Sequence, residues 1–221
     1  IELPKFLKVR QNFKRDKIEN VSDEVKKQIM PYINSLRNKK IAVGVGSRGI
    51  ANINIITKTV INCLKEAGAR PFIVPAMGSH GGATENGQIE ILNSYGISEE
   101  TMGVKIDGSM DTKIIGEYEP DLPVYLAKSV LMADGIVIIP RIKPHTGFRG
   151  RVESGICKML SIGLGKQIGA DSIHSKGFGR FSELIPGIGC MIAKKINVLF
   201  ALAIIENAYD ETYKIEFINK D

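Results

Sequence analysis

The sequence predicts an α/β fold in which a parallel or mostly parallel sheet is covered by helices on both faces, in a Rossmann-like arrangement. Three observations carry this prediction. Apolar runs of strand length alternate along the chain with helical segments. The runs are apolar at consecutive positions, which is typical of strands buried on both faces. The chain has 221 residues, 43% of them hydrophobic, which is enough for one domain with a sizeable core.

In the first half of the chain, capping and helix-ending residues set the predicted elements. A helix is predicted over residues 22–36, with Ser22 as its N-cap and a kink at Pro31. Gly68 is expected to end a second helix, and Thr84 to cap a third. The remaining elements predicted here are strands over residues 41–45 and 70–76 and helices over residues 53–68 and 85–95.

The second half continues the alternation around a long glycine-rich region, residues 144–189. A strongly apolar run over residues 135–140 predicts another buried strand, and residues 212–218 alternate as an edge strand does. The other elements predicted here are a strand over residues 112–118, a short helix over 124–133, helical pieces near 152–162 and 181–195, and a strand over 197–205.

Composition narrows the class of protein. The net charge of +6 comes from dispersed lysines and arginines, so we expect no specific nucleic-acid partner. The longest apolar stretch, residues 198–205, is shorter than the roughly 20 residues that cross a bilayer, and residues 1–17 lack a signal-peptide core. We therefore expect a cytoplasmic protein with no membrane partner. Cys63 and Cys190 are expected in the core, whereas Cys157 precedes Lys158.

Three loops that follow predicted strands hold the unusual residues. In parallel sheets, ligands bind beyond the carboxyl ends of the strands, so we single out the loops after residues 45, 76 and 140. The second loop carries His80 and the third carries His145, and the remaining histidine, His174, follows in the glycine-rich region. This placement of all three histidines predicts a site at one edge of the sheet.

The first loop, residues 44–49, has the spacing GxGxxG after a strand. A dinucleotide site would need an acidic residue at the end of the next strand, and none is present there. Two interpretations remain open. The loop is an anion-binding turn at a helix N-terminus with Arg48 as the partner of the anion, or it is a tight turn with an exposed arginine.

The two loop histidines are candidates for general acid–base catalysis, because an imidazole titrates near neutral pH. Glycines on both sides of His80 allow a ligand to approach the backbone. Nearby cations are expected to lower the pKa of His145 and to attract a carboxylate. These cations are Arg141, Lys143, Arg149 and Arg151. A metal at His174 would need ligands from outside its own segment, even if Asp171 shares its helical face.

The ordered set of these motifs resembles the N-terminal domain of the nickel-dependent lactate racemase family, which includes other 2-hydroxy-acid racemases and epimerases. The set comprises Ser47-Arg48, Gly78-Ser79-His80, Thr84-Glu85, Pro144-His145, Lys158 and His174. The resemblance runs from about residue 41 to residue 175. It implies that residues 1–221 form one lactate racemase N-terminal-like domain, and that the second, C-terminal domain of the family is absent from this chain.

The resemblance also implies a chemistry. The family carries a nickel pincer nucleotide, a Ni-pyridinium-3,5-bisthiocarboxylic acid mononucleotide that supplies three metal ligands and accepts hydride from a 2-hydroxy acid. Lys158 would bond to this cofactor, Ser47 and Arg48 would contact it or the substrate, and His174 would be the metal ligand. His80 and His145 would be the acid–base pair.

Further partners follow from the same resemblance, since proteins that build the nucleotide and insert nickel would serve this chain. Two other functions stay open. One is a non-racemase relative that binds a nucleotide or an anion, and the other is a non-catalytic binding domain.

Overall fold

The computed structural model describes residues 5–33 and 36–219, which are built around a five-stranded sheet. The strands are β1 Lys40–Val45, β2 Arg70–Pro75, β3 Thr112–Glu119, β4 Leu122–Ala127, β5 Gly135–Ile139, β6 Val198–Glu206 and β7 Thr212–Ile218. The helices are α1 Val21–Ile29, α2 Ile53–Glu66, α3 Glu85–Ser94, α4 Glu99–Met102, α5 Lys128–Leu131, α6 Ile156–Lys158, α7 Lys166–His174 and α8 Phe181–Lys195. A π-helical turn, Met159–Gly163, continues α6.

The order of strands in the main sheet is β2-β1-β5-β6-β7. The first four strands run parallel, and β7 is an antiparallel edge strand. The predicted fold class is therefore confirmed. Because β1 lies between β2 and β5, the chain leaves β1 in one direction across the sheet and later continues in the other. The crevice beyond the carboxyl ends of β1 and β5 is the place where such sheets bind ligands.

Two separate cores cover the two faces of the sheet. Along β1, Ile41 and Val43 join one core and Ala42 joins the other, as the alternation of side chains in a strand requires. The first core contains apolar residues of α1, α2 and α3, and the second contains those of α7, α8 and the β3–β4 hairpin. Each parallel strand is thus buried on both sides, which explains its continuous apolar sequence.

The first helix differs from its prediction at both ends. Its N-cap is Asn20, whose side chain accepts a hydrogen bond from Asp23 N at 3.1 Å, and not Ser22. The helix ends at Ile29, since Pro31 cannot donate the backbone hydrogen bond that would continue it. Residues 34–35 of the predicted helix lie outside the described residues.

The prediction of a helix over residues 124–133 is wrong. This segment begins as β4, which pairs antiparallel with β3, and only Lys128–Leu131 is helical. Leu122, Val124 and Leu126 are buried and alternate with partly exposed residues, which is the period of a strand. The short helix α4 was not predicted.

Two expectations about apolar segments have clear outcomes. Cys63 is fully buried in the first core, as predicted. Cys190 is exposed on α8, so its assignment to the core is wrong. None of the helices within the described ranges is both long and apolar enough to cross a membrane.

Candidate active site

The loops after β1 and β2 meet directly at the carboxyl edge of the sheet. The hydroxyl of Ser47 forms a short hydrogen bond with Nδ1 of His80. Tyr95, at the end of α3, donates its hydroxyl hydrogen bond to the backbone oxygen of Ser47. The hydrogen bond from Tyr95 therefore fixes the backbone of Ser47, and the hydroxyl of Ser47 holds the imidazole of His80 in place.

Close backbone packing shapes the loop that carries His80. Gly81 has a φ of 66°, and its oxygen lies so near Gly87 at the start of α3 that a Cβ on Gly87 would be 1.9 Å from it. Thr84 caps α3, as predicted, by accepting a hydrogen bond from Gly87 N at 3.1 Å. Only glycine permits this approach, so the glycines around His80 serve the geometry of the loop.

The electrostatic surroundings of His80 favour its neutral form. Desolvation of the ring is the first cause of a lowered pKa, followed by the positive charges of Arg48 and Lys158. A neutral imidazole is the form that accepts a proton, so His80 is suited to act as a base.

A carboxylate holds the loop of His145. The backbone N–H groups of His145 and Gly150 both donate to Glu153, at 2.7 Å and 3.0 Å. These bonds lower the pKa of Glu153, which keeps it ionised. In addition, Gly147 N donates to Nδ1 of His145 at 3.0 Å. The ring proton of neutral His145 therefore resides on Nε2.

Burial lowers the pKa of His145 first, followed by the charges of Lys158 and Lys143, while Glu153 opposes the shift. The predicted direction matches, and the predicted cation Lys143 is among the causes, but Lys158 and Arg48 were not predicted. Arg141, which was predicted, pairs with Glu206.

The charge of Lys158 interacts with a residue of each of the three loops, namely Arg48, His80 and His145. Its amine is half-buried at the end of α6, and burial lowers its pKa, with further contributions from Arg48 and Lys143. Its charge acts on both His80 and His145. The structure thus brings each of these two histidines within electrostatic reach of Arg48 and Lys158, and Ser47 joins them through His80.

His174 is connected to His145 through a chain of aromatic contacts. Its Nδ1 donates to the backbone oxygen of Ala170 at 2.5 Å, and its ring packs against Phe181 with 5.1 Å between centroids. Phe181 contacts Phe148, which contacts the ring of His145 at 4.4 Å. The rings of Phe181 and Phe148 therefore lie between His174 and His145.

Arg48 is exposed, and the loop that carries it does not open a helix directly. Helix α2 begins at Ile53, after Asn52 in a left-handed conformation. The predicted anion site at a helix N-terminus is therefore not formed by the GxGxxG turn itself. The positive charge of Arg48 nevertheless acts on His80, His145 and Lys158, so an anion at this edge would meet it.

Three residues beneath the site were missed by sequence reasoning: Glu153, Gln88 and Lys166. Glu153 is the one acid among the cations of the third loop, and that contrast was the available signal. Nothing in the local sequence marks Lys166, because its partners Pro75 and Gln88 are 91 and 78 residues away in the chain.

A metal held by the protein alone finds no ligand set here. Among the residues that the structure describes, no three His, Cys, Asp or Glu side chains are grouped to hold an ion. A metal at this site would have to bring most of its donor atoms with it.

Comparison with known proteins gives a family and a fold. The family described as "Domain of unknown function (DUF362)" matches residues 46–215. A crystal structure of a protein from Thermotoga maritima superposes with a TM-score of 0.65 at 18% identity, covering 93% of this chain and 56% of that chain. The lactate racemase apoprotein from Thermoanaerobacterium thermosaccharolyticum gives 0.55 at 12% identity, with 93% and 54% covered. No curated protein matches the sequence.

The chain therefore spans little more than half the length of these two structural neighbours. At such low identities the similarity establishes a shared fold.

Proposed function

The chain belongs to the DUF362 family, and from its site we propose that it is the N-terminal catalytic domain of a racemase or epimerase acting on a small 2-hydroxy acid. One observation carries the proposal. His80 and His145, which come from separate loops, both lie within electrostatic reach of the amine of Lys158. The lactate racemase apoprotein, which shares the fold, provides the chemical precedent.

A carboxylate substrate fits the charge of this site. The charge of Arg48 acts on both histidines and that of Lys143 acts on His145, so the carboxylate group of a hydroxy acid would be attracted and oriented. The hydroxyl group would then lie within reach of an imidazole. His80 is the better first base, because its Nδ1 can donate to Ser47 and leave Nε2 free to accept the proton.

His145 would serve the opposite enantiomer. Its Nδ1 is engaged by Gly147 N–H, so it must release that bond before it can take up a proton. The lowered pKa values of both rings agree with histidines that rest in the neutral state. Racemisation requires two bases on different loops, because the hydroxyl proton of each enantiomer leaves in a different direction.

The residues present fit the nickel pincer nucleotide of the lactate racemase family. A lowered pKa makes a lysine amine easier to deprotonate and so a better nucleophile, which supports our proposal that Lys158 bonds to the nucleotide. His174 would be the single protein ligand to nickel. Its Nδ1 is held by a backbone carbonyl and its Nε2 has no partner among the described residues, an arrangement typical of ligating histidines.

When bound, the group would supply the acceptor for the hydride that leaves C2, while the protein orients the substrate and moves the proton. The proteins that synthesise the nucleotide and insert nickel would then be partners of this chain.

The first experiment tests covalent attachment. The chain is co-expressed with enzymes that make the cofactor, and the intact mass of wild type, Lys158→Ala and Lys128→Ala is measured. We expect an adduct in wild type and in the Lys128 control, and none in Lys158→Ala. An unmodified wild-type mass would overturn the assignment of Lys158.

The second experiment tests the reaction. The full-length, cofactor-loaded protein is incubated with single enantiomers of small 2-hydroxy acids, and the products are separated on a chiral column. We expect interconversion of one such acid, with a rate loss of about 10²-fold or more in His80→Ala. Full turnover by that variant would contradict the role of His80, and no interconversion by wild type would contradict the racemase proposal.

The cluster of cations also favours a second candidate, a domain that binds an anion or a nucleotide without racemising a substrate. This candidate predicts binding that weakens in Arg48→Met, no covalent adduct and no chiral conversion. Isothermal titration with nicotinate mononucleotide separates the two functions when it is combined with the mass measurement.

A further inference from the structure

Lys166 is a buried lysine that the proposed chemistry does not use. Its side chain is fully buried, with 0% exposure, and it is the largest side chain buried to that degree. Its φ of 56° places it in the left-handed region at the start of α7. Lysine is almost never fully buried without partners, and this backbone conformation disfavours residues that carry a Cβ. Both features point to a specific task for the amine.

The amine of Lys166 lies beneath the loop that carries His80 and forms hydrogen bonds there. Nζ of Lys166 donates to the backbone oxygen of Pro75, the last residue of β2, at 3.0 Å, and lies 3.4 Å from Oε1 of Gln88. The carboxylates whose charges act on it are those of Asp107 and Glu85. Burial outweighs their attraction and lowers the pKa of Lys166 to about 8. Near neutral pH, the amine is therefore still mostly protonated.

Gln88 passes this contact on to the loop. Its side chain is fully buried, and its Nε2 donates to the backbone oxygens of Gly78, at 2.9 Å, and of His80, at 3.3 Å. Because an ammonium group can only donate hydrogen bonds, Lys166 requires the oxygen of the Gln88 amide to face it. The nitrogen must then point toward the loop. A flipped amide would place its N–H groups against the ammonium.

We propose that Lys166 is a positioning residue for His80, which fixes the amide of Gln88 so that Gln88 holds the backbone of the loop from Gly78 to His80. The imidazole of His80 is thereby kept against the hydroxyl of Ser47. A methionine would fill a similar volume without desolvating a charge, but it would leave the orientation of Gln88 undetermined. This role deepens the proposed function, on which it rests for the catalytic meaning of His80.

The test is NMR of the histidine rings in the purified chain without cofactor, which makes it independent of racemase activity. In wild type, the pKa of His80 is lowered by ring desolvation and by the charges of Arg48 and Lys158. In Lys166→Met we expect the loop to loosen, the ring to become better solvated, and the pKa of His80 to rise toward about 6.5. The signals of His174 should stay in place.

Two further variants separate positioning from simple stability. Lys128→Met removes an exposed lysine on α5, far from the loop in the chain, and should leave the His80 signals unchanged. Gln88→Glu keeps the acceptor for Lys166 but removes both donors to the loop, so it should shift the His80 signals as Lys166→Met does.

Each outcome either supports or overturns the proposed role of Lys166. If Lys166→Met unfolds, Gln88→Glu still tests the contact with the loop. Unchanged ring signals of His80 in a folded Lys166→Met or Gln88→Glu protein would overturn the proposal, even if the melting temperature falls. Shifted signals together with absent racemisation would uphold the positioning role and reject the proposed function.

Discussion

The electrostatics of the site depend on the amine of Lys158. Its positive charge disfavours protonation of His80 and His145, and Arg48 and Lys143 in turn disfavour protonation of the amine itself. These like charges add to burial in lowering the pKa of His80, His145 and Lys158. An anionic ligand would relieve the repulsion, which supports the proposed carboxylate substrate.

A prediction at this scale concerns Glu153. The charge of Glu153 raises the pKa of His145, whereas burial, Lys158 and Lys143 lower it. We expect Glu153→Gln to lower the pKa of His145 further, so that a larger fraction of the ring is neutral at any given pH near 6. Lys158→Met should move the same pKa in the opposite direction. NMR titration of the His145 ring measures its pKa in both variants. A shift in the same direction in both variants would contradict the opposite effects of Glu153 and Lys158.

At the scale of elements, the loop between β2 and α3, which carries His80, and the first turn of α3 depend on each other. The loop turns back on α3 so closely that backbone atoms of Gly81 and Gly87 are in contact. Thr84 caps the same helix, and Gln88, one turn later, bonds to the loop. The first turn of α3 therefore serves as the support on which His80 is held.

We expect Gly87→Ala to destabilise the fold by about 1–3 kcal/mol, which is the usual cost of forcing extra atoms into a packed site. Its Cβ would lie 1.9 Å from the oxygen of Gly81, so the loop and the helix would have to separate. Gly179→Ala is the matched control, because its Cβ would meet nothing within 4 Å. Urea unfolding measures both variants, and equal stabilities would show that the contact does not constrain the loop.

The β3–β4 hairpin shows an element whose type depends on its tertiary contacts. Its strands pair with each other and not with the main sheet, and Arg180 clamps β3 to the start of α8 through Glu119, at 2.6 Å. The segment that follows β4 is briefly helical. A window that averages over strand and helix reads as one helix, which is why the prediction over residues 124–133 failed.

At the scale of the whole molecule, a nearly buried ion pair fastens the site to the middle of the sheet. The side chain of Glu206, at the end of β6, is 3% exposed and pairs with Arg141, which follows β5. Glu206 also accepts the N–H of Ala51, and Arg141 donates to the oxygen of Gly49 at 3.1 Å. The loop that carries Arg48 is thus held from two strands at once.

We expect Glu206→Gln to cost about 2 kcal/mol of unfolding free energy, less than the roughly 3–5 kcal/mol of a fully buried pair, because Arg141 is 24% exposed. The exposed pair of Lys214 and Glu216 provides the control, since Glu216→Gln should cost less than about 1 kcal/mol. Thermal or urea denaturation compares them. Equal losses in both variants would mean that the buried pair contributes nothing special.

The sequence by itself determined the strands of the main sheet and the loops in which His80 and His145 lie. Apolar runs and caps are local signals, and the rule that ligands bind beyond parallel strand ends needs only the order of elements. The cap at Thr84, the edge strand and helix α8 follow from such signals as well. Position along the chain was therefore enough to predict that the loops of His80 and His145 follow strands of the parallel sheet.

Only the tertiary structure decided which groups support that site. Lys166 donates a hydrogen bond to Pro75, which is 91 residues away, and Arg141 pairs with Glu206 although it is close to His145 in sequence. The burial of Lys166 and the exposure of Cys190 are likewise invisible in the local pattern. The physical reason is that hydrogen bonding, desolvation and charge pairing depend on distance in space, whereas periodicity reports only which side of an element faces the core.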